Sequence, residues 1–327
     1  MAGAATVAVV LDLVALSSAL QAAGSESVEL TWHPAPGTVL EREVEFEVSG
    51  GLDDAFVWLA AFRLEGLADV SIEGRLHVSD EVRRIADGRP LELVREIERL
   101  TTTWDGLARC EVRPEFFGRA LVYTWDERAS AYERAWARPG SSRAAPPALR
   151  EDLDLRALLP GESVRVGDVW RVPVSSVAGL FAPAGAVHVD EALAEAWGFD
   201  VLASAFDLER VQRIRDGEVR CLLERIVSVD GRRVAVIEFG WSWWGMIDPF
   251  LTPSAGTWLA IIATDRIRAD LDGRAWGRLL WDLEAGHARE FELQAELNGQ
   301  LAGSDSRMDR GVRFHARGSW FTSISAR

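Results

Sequence analysis

The sequence predicts a mainly β protein: a long antiparallel meander forming open half-barrels or curved sheets, with a few short helices. Three observations carry this. Between Thr257 and Gly299, Leu279, Trp281 and Leu283 alternate with Leu280, Asp282 and Glu284. Phe291, Leu293, Ala295 and Leu297 then alternate with Glu290, Glu292, Gln294 and Glu296. Period two sends one set of side chains to a core and the other to water. Asp-Gly pairs at Asp87-Gly88, Asp105-Gly106, Asp216-Gly217, Asp230-Gly231 and Asp272-Gly273 supply the positive φ that two-residue hairpin turns need. The chain ends on Val312, Phe314, Ala316, Gly318, Trp320 and Ile324, opposite Arg313, His315 and Arg317, a final strand of the same kind.

Taken in order, residues 1–24 are rich in Ala, Val and Leu and end in Ala22-Ala23-Gly24. They read as a signal peptide, which places the mature chain in the periplasm or outside the cell. Asp12 and the missing basic start are features that a buried N-terminal helix of a cytoplasmic protein would also show. No other apolar run approaches membrane-spanning length. An N-terminal β lobe follows over 25–137. Residues 28–32 alternate as a short strand. Val44, Phe46 and Val48 then alternate with Glu43, Glu45 and Glu47. The stretch 53–64 fits a capped helix or a buried strand. Strands are expected over 70–78, 91–100, 108–112, 119–125 and 132–137. Residues 138–150 are rich in Pro, Ser and Ala and read as a linker.

The C-terminal β lobe covers 151–327. Residues 152–159 read as a short helix stopped by Pro160-Gly161, 164–174 as a strand and 190–197 as a second helix ended by Gly198. Beyond residue 201 the meander dominates. Ala235, Ile237, Phe239, Trp241 and Trp243 share one strand face, and 245–256, with Pro249 and Pro253, reads as a loop.

Composition removes many chemistries. Acidic residues number 51 against 36 basic ones, a net charge of −15, which argues against nucleic acid and anionic membrane surfaces as partners. Every basic residue is arginine, so lysine Schiff bases, P-loop lysines and Ser-Lys nucleophile pairs are excluded. Two cysteines, Cys110 and Cys221, either pair or sit as separate buried thiols; they are too few to bind zinc by themselves. His33, His77, His188, His287 and His315 show no ligand spacing. Asp270-Leu271-Asp272-Gly273 lacks the remaining ligands of a calcium loop and reads as a turn. No metal or cofactor is expected. With no GxSxG, GxGxxG or P-loop present, no catalytic residue is nominated.

The positive anomaly is aromatic. Fourteen tryptophans stand against two tyrosines. Trp241, Trp243 and Trp244, with Met246, Phe250 and Trp258, are the candidate ligand-binding residues, since such a patch can line an apolar cleft. The competing role for these side chains is to fill a wide β core.

The stretch Leu158-Leu159-Pro160-Gly161, followed by Val166-Gly167-Asp168-Val169-Trp170, resembles a motif of uncharacterised exported proteins from high-GC and planctomycete-like bacteria. The strand rhythm resembles the open half-barrels of LolA- and LppX-like lipoprotein and lipid carriers. These resemblances imply an exported binding or scaffold protein and bring no catalytic residue with them. The expectation is a non-enzymatic exported protein that binds an apolar small molecule or lipid, or a protein partner, on a concave β surface. The alternatives are an interaction module without a small ligand and a carboxylate-dependent hydrolase. On the leading expectation, Trp241→Ala or Trp243→Ala weakens binding without unfolding the chain.

Overall fold

Alternation over this many residues, punctuated by turns, produces strands that pair with their neighbours along their whole length. The computed structural model describes residues 27–53, 57–59, 62–64, 70–105, 110–112, 119–137, 155–174, 176–177, 217–251, 267–303 and 312–326. The first part contains β1 (Val39–Asp53), β2 (Val57–Leu59), β3 (Phe62–Leu64), β4 (Val70–Ala86), β5 (Arg89–Asp105), β6 (Cys110–Val112), β7 (Ala120–Asp126) and β8 (Ala131–Trp136). Then come β9 (Val169–Pro173), β10 (Glu218–Val229), β11 (Arg232–Leu251), β12 (Ile267–Asp282), β13 (His287–Gly303) and β14 (Val312–Ala326).

Twelve of these strands form one antiparallel sheet in the order β8-β7-β5-β4-β1-β14-β13-β12-β11-β10-β9, with β6 added beside β5. The sheet is curved but not closed into a barrel. The strands of 25–137 and those of 151–327 meet at β1 and β14, which pair from Leu40↔Ala326 to Asp53↔Arg313. The remaining strands, β2 and β3, make a separate small hairpin, so the described part of 53–64 is strand and not helix.

Several turns follow the sequence. Asp87 and Gly88 have φ of 50° and 67°, and Asp230 and Gly231 have 53° and 78°, the two consecutive positive values of a type I′ hairpin. At 283–286 the Asp282 carboxylate accepts the N–H groups of Glu284 at 3.0 Å and Ala285 at 2.8 Å, and Gly286 closes the turn at φ 67°.

Others do not. Asp272-Gly273 is not a turn. It lies inside β12, where Asp272 pairs with Trp244 and Gly273 with Trp243. Residues 245–251 are not loop, because β11 runs through Pro249 to Leu251 and absorbs the proline in a register shift between Ile247 and Leu251, where a missing N–H breaks no ladder. The expected strand at 28–32 is reduced to one bridge, Val28↔Val164. The helix expected at 152–159 is, in its described part, a single 3-10 turn, Arg156–Leu158. The strand expected at 164–174 begins at Val169. The signal peptide, the linker, the 190–197 helix, Gly106 and Asp216 lie outside the described residues.

One face of the sheet carries the core, which combines Leu40, Val44, Leu76, Val78, Ile97 and Tyr123 with Leu223, Ile237, Phe239, Leu279, Trp281, Phe291 and Leu293. At the turn-bearing end, two non-strand segments fill this face. Leu30 and Trp32 are buried, and their segment is held by His33 N–H to the Gly286 carbonyl at 2.9 Å and Gly37 N–H to that of Val82 at 2.7 Å. Gly286 is required twice: its φ is positive, and a Cβ there would lie 2.6 Å from the His33 ring. The 158–170 motif forms the second segment. Trp170 Nε1 donates to the Leu158 carbonyl at 2.9 Å, and Arg165 N–H to the Asp168 carboxylate at 2.8 Å. Gly167 N–H donates to the Leu223 carbonyl at 2.8 Å, and Leu223 N–H to that of Asp168 at 3.1 Å. The motif is therefore a clip that fastens this segment to β10.

Within the core lies an ionic triad. Asp80 sits between Arg42, whose Nε is 3.1 Å away, and Arg95, which donates from Nε at 2.7 Å and Nη2 at 3.0 Å. All three residues are at most 2% exposed, and Arg95 also lies over the Tyr123 ring at 5.3 Å. Removing one member of such a group strands buried charge. Asp80→Asn is expected to destabilise the fold by about 3–5 kcal/mol, read from the denaturant midpoint; a loss below about 1 kcal/mol would show that the triad does not hold β1, β4 and β5 together.

Candidate functional site

The strands have two unlike faces. On the face away from the core, charges alternate across neighbouring strands: Arg75 with Glu45 at 3.1 Å, Arg278 with Glu292 at 3.1 Å, and Arg274 with Glu296 at 2.6 Å. Pairs this exposed contribute little stability, but they keep that face in water.

The core face continues along the strands. Its row Trp241, Ala275, Ala295, Gly318, Val48 crosses β11, β12, β13, β14 and β1. Two residues further along each strand, the same register gives Trp243, Gly273, Leu297, Ala316 and Gly50. The next rows are Gly245, Leu271, Gly299, Phe314, Leu52, and then Ile247, Ala269, Leu301, Val312. No ionisable side chain occurs in these rows, and the side-chain hydrogen-bond donors in them are the indole N–H groups of Trp241 and Trp243. The alternate rows hold Asp272, Asn298 and His315, then Asp270, Gln300 and Arg313. In residue type, every second row of the register thus stays apolar for three rows past that of Trp241.

Aromatic residues on this face stand opposite glycines. Phe46 pairs with Gly74 and Phe239 with Gly277, and a Cβ on either glycine would fall 1.9 Å from the Phe46 ring or 2.6 Å from the Phe239 ring. Each ring therefore lies flat across its neighbour strand. Phe239 stacks on Phe291 at 5.5 Å and 7° and on Trp241 at 6.1 Å and 28°. Trp243↔Gly273 and Phe314↔Gly299 repeat the pairing in the rows beyond.

The six aromatic and methionine candidates are separated by this register. Trp241 is 6% exposed and belongs to the core, and Trp243 occupies the next row of the same face. Trp244 and Met246 fall in the alternate rows with Asp272 and Asp270. Phe250 lies in the register shift of β11, and Trp258 is outside the described residues. The positions missed from sequence are those on β12–β14 and β1, chiefly Leu271, Gly273, Leu297, Phe314 and Gly50. Their signal was the unbroken parity through Asp272-Gly273, masked by reading that pair as a turn.

Other reactive groups are accounted for by structure. Cys221 is a free, buried thiol whose pKa burial pushes up to about 12, so it is not nucleophilic at neutral pH. His77 lies between two carboxylates, with Nδ1 3.0 Å from Glu98 and Nε2 3.6 Å from Glu41. The ligand atoms of this group lie within 4.8 Å of one another, but each ring nitrogen faces its own carboxylate.

His287 is 4% exposed, and its Nδ1 donates to the Ala288 carbonyl at 2.7 Å. Burial pushes its pKa below the ordinary 6.5, aided by Arg42 and Arg232 and opposed by the Ala288 bond and Asp282. For Asp282, burial acts upward, but the Ala285 and Glu284 N–H groups and Arg232 outweigh it and hold the carboxyl below its usual range.

No family model and no curated protein matches the chain. Among solved structures, an outer membrane channel from Pseudomonas putida F1 aligns over 92% of this chain and 100% of its own, at 8% identity and a TM-score of 0.21. At that level no property of the channel transfers.

Two predictions follow from this geometry. Trp241→Ala is expected to cost about 3–5 kcal/mol of stability, since it removes a ring stacked in the core; a change under about 1 kcal/mol in chemical denaturation would place Trp241 outside the core. The second concerns pH. His287 binds its proton more weakly folded than unfolded, so its stabilising effect is complete above the ordinary 6.5 and is lost as pH falls through that value toward the folded pKa. Unfolding free energy should drop between pH 7 and pH 5, and His287→Gln should flatten that part of the curve. An unchanged slope would rule His287 out as its source.

Proposed function

We propose that this protein is a non-enzymatic carrier that holds an apolar ligand against the extended core face of β11–β14 and β1. The observation that carries the reading is the register: three consecutive alternate rows beyond Trp241 contain only apolar residues and glycine, while the intervening rows carry Asp272, Asn298 and His315, then Asp270, Gln300 and Arg313, beside Trp244 and Met246. Fold stability explains an apolar face over the length of the core cluster. It does not by itself explain the same pattern carried further along paired strands, where each interior glycine costs about 0.5–1 kcal/mol relative to alanine.

The polarity of the two faces also bears on a membrane-spanning role. A barrel in lipid presents an apolar band outward and polar residues inward. Here the exposed face carries Glu43, Glu45, Glu47, Arg75, Arg274 and Arg317, the reverse arrangement. That favours a water-borne carrier, and the exported location suggested by residues 1–24 fits such a role.

The test is native mass spectrometry of protein purified from its own compartment, with organic extraction of what co-purifies. A bound apolar compound is expected, and it should be lost in Gly273→Asp, which places a carboxylate in the first row beyond Trp241, but retained in Asp272→Asn in the adjoining polar row. Wild-type protein that carries no apolar compound and takes up none when offered would overturn the reading.

A further inference from the structure

We propose that the turn between β12 and β13 is an acid-sensitive latch, in which protonation of His287 frees residues 27–38 before the sheet itself unfolds. This device goes beyond the carrier reading and does not rest on it.

The latch is built from consecutive residues of one turn. The Asp282 carboxylate accepts the N–H groups of Glu284 and Ala285, and its carbonyl accepts the Gly286 N–H at 3.0 Å. The Gly286 carbonyl in turn accepts the His33 N–H at 2.9 Å, and the His33 ring packs against Gly286 too closely to admit a Cβ. Among the described residues, this is the one backbone hydrogen bond tying 29–36 to the sheet; the bonds of Val28 and Gly37 lie on either side of it. Gly286 and His287 share a peptide bond. Moving the His287 ring into water turns that peptide and draws the Gly286 carbonyl away from His33.

The ring is placed where a second proton is unwelcome. A carbonyl only accepts, so the bond from Nδ1 to Ala288 at 2.7 Å puts the proton of the neutral ring on Nδ1, and acid would fill Nε2. That atom is buried and has no hydrogen-bond partner, so the new N–H would be a donor without an acceptor on a ring that has become charged. Arg42 on β1 and Arg232 on β11 oppose the added charge, and Asp282 on β12 favours it. Asp282 is already committed to the turn N–H groups and to Arg232 at 3.4 Å. Asp80 on β4 is held between Arg42 and Arg95 of β5. On β13 itself Arg289 reaches away to Asp230 at 2.8 Å, and in the turn Glu284 is exposed to water. From β14 come Ile324, Ser325 and Ala326, none of them titratable. From 27–38 comes His33, whose Nδ1 lies 2.9 Å from the Thr31 carbonyl. An imidazolium at 287 therefore meets two guanidinium groups and no uncommitted carboxylate.

Acid favours whichever state brings the ring into water. Opening the turn does this while leaving the β12–β13 ladder intact from Leu280↔Glu290 to Ile267↔Gly303, so it requires less than unfolding the sheet.

Hydrogen exchange of the full chain, resolved by peptide and corrected for the intrinsic effect of pH, tests this at pH 7.5 and pH 5. Peptides covering 28–37 are expected to lose protection at pH 5 by up to about thirtyfold, the linkage of one proton bound at the ordinary 6.5 in the open state only. Peptides from β4 and β11 should keep theirs. His287→Gln should make the protection of 28–37 equal at the two pH values, whereas His77→Gln, elsewhere on the sheet, should leave the acid response in place. If His287→Gln fails to fold, His287→Leu, which fills the site with an apolar side chain, takes its place. A loss shared equally by all peptides, no loss at all, or a loss that survives the His287 substitution would overturn the latch.

Discussion

The pairing of the first long strand with the last is the constraint on which the structure depends. Leu40 lies opposite Ala326 and Asp53 opposite Arg313, so the two ends of the described chain close against each other along β1 and β14. Without that seam, β1 with β4 to β8 and β9 to β14 would form two smaller sheets, each with an exposed long edge. With it, one core face runs from Leu121 to Cys221, interrupted by the Arg42–Asp80–Arg95 triad. The contact is as non-local as this chain allows. The closure entropy of so long a loop grows only slowly with length, but the search for register makes such topologies slow to fold.

Register is what gives the seam its consequences. A slip of one residue would exchange the Val44 and Phe46 positions for Glu43 and Glu45 and bury a row of carboxylates. The irregularities at Leu223/Arg225 and Leu280/Trp281 and along β4–β5 each insert one residue, and the shift between Ile247 and Leu251 inserts two. The Arg42–Asp80–Arg95 triad adds a second lock, because β1, β4 and β5 must be aligned for two arginines to meet one carboxylate. Buried ion groups of this kind contribute little net stability compared with apolar packing, yet a misaligned one is severely unfavourable.

Much of this was legible in the residues, for identifiable reasons. Asp87-Gly88 and Asp230-Gly231 end runs of alternation on both sides, and both are turns. Asp272-Gly273 has the same two residues, but the parity of Leu271, Gly273 and Ala275 continues through it, which a two-residue turn would have had to break. Gly273 serves a different purpose there, standing opposite Trp243 as Gly277 stands opposite Phe239. The triad was legible in principle: Arg42 lies between Leu40 and Val44, Asp80 between Val78 and Val82, and Arg95 between Leu93 and Ile97, each a charge on the apolar parity. The alternation of residues 28–32 was legible, but not that Leu30 and Trp32 would plug a sheet rather than join it, because a partner for an isolated alternating segment is set by tertiary contacts far away in sequence.

The recurring aromatic-opposite-glycine pair links packing to the proposed function. A ring standing upright on the sheet would project from the core face. With glycine opposite, the ring lies down on the neighbouring strand, as Phe46 does over Gly74 and Phe239 over Gly277. This thins the lining while keeping its apolar area, and it supports the sheet where glycine alone would weaken it. In the lower rows the space so left is filled by Trp32, Leu158 and their neighbours, and the result is a core. In the rows of Trp243 and Phe314 the same pairings recur in the register, and the plugging segments among the described residues lie at the opposite, turn-bearing end. The same sequence device that builds the core in one half of the sheet thereby prepares an apolar face in the other. A single rule of strand pairing is enough to generate both.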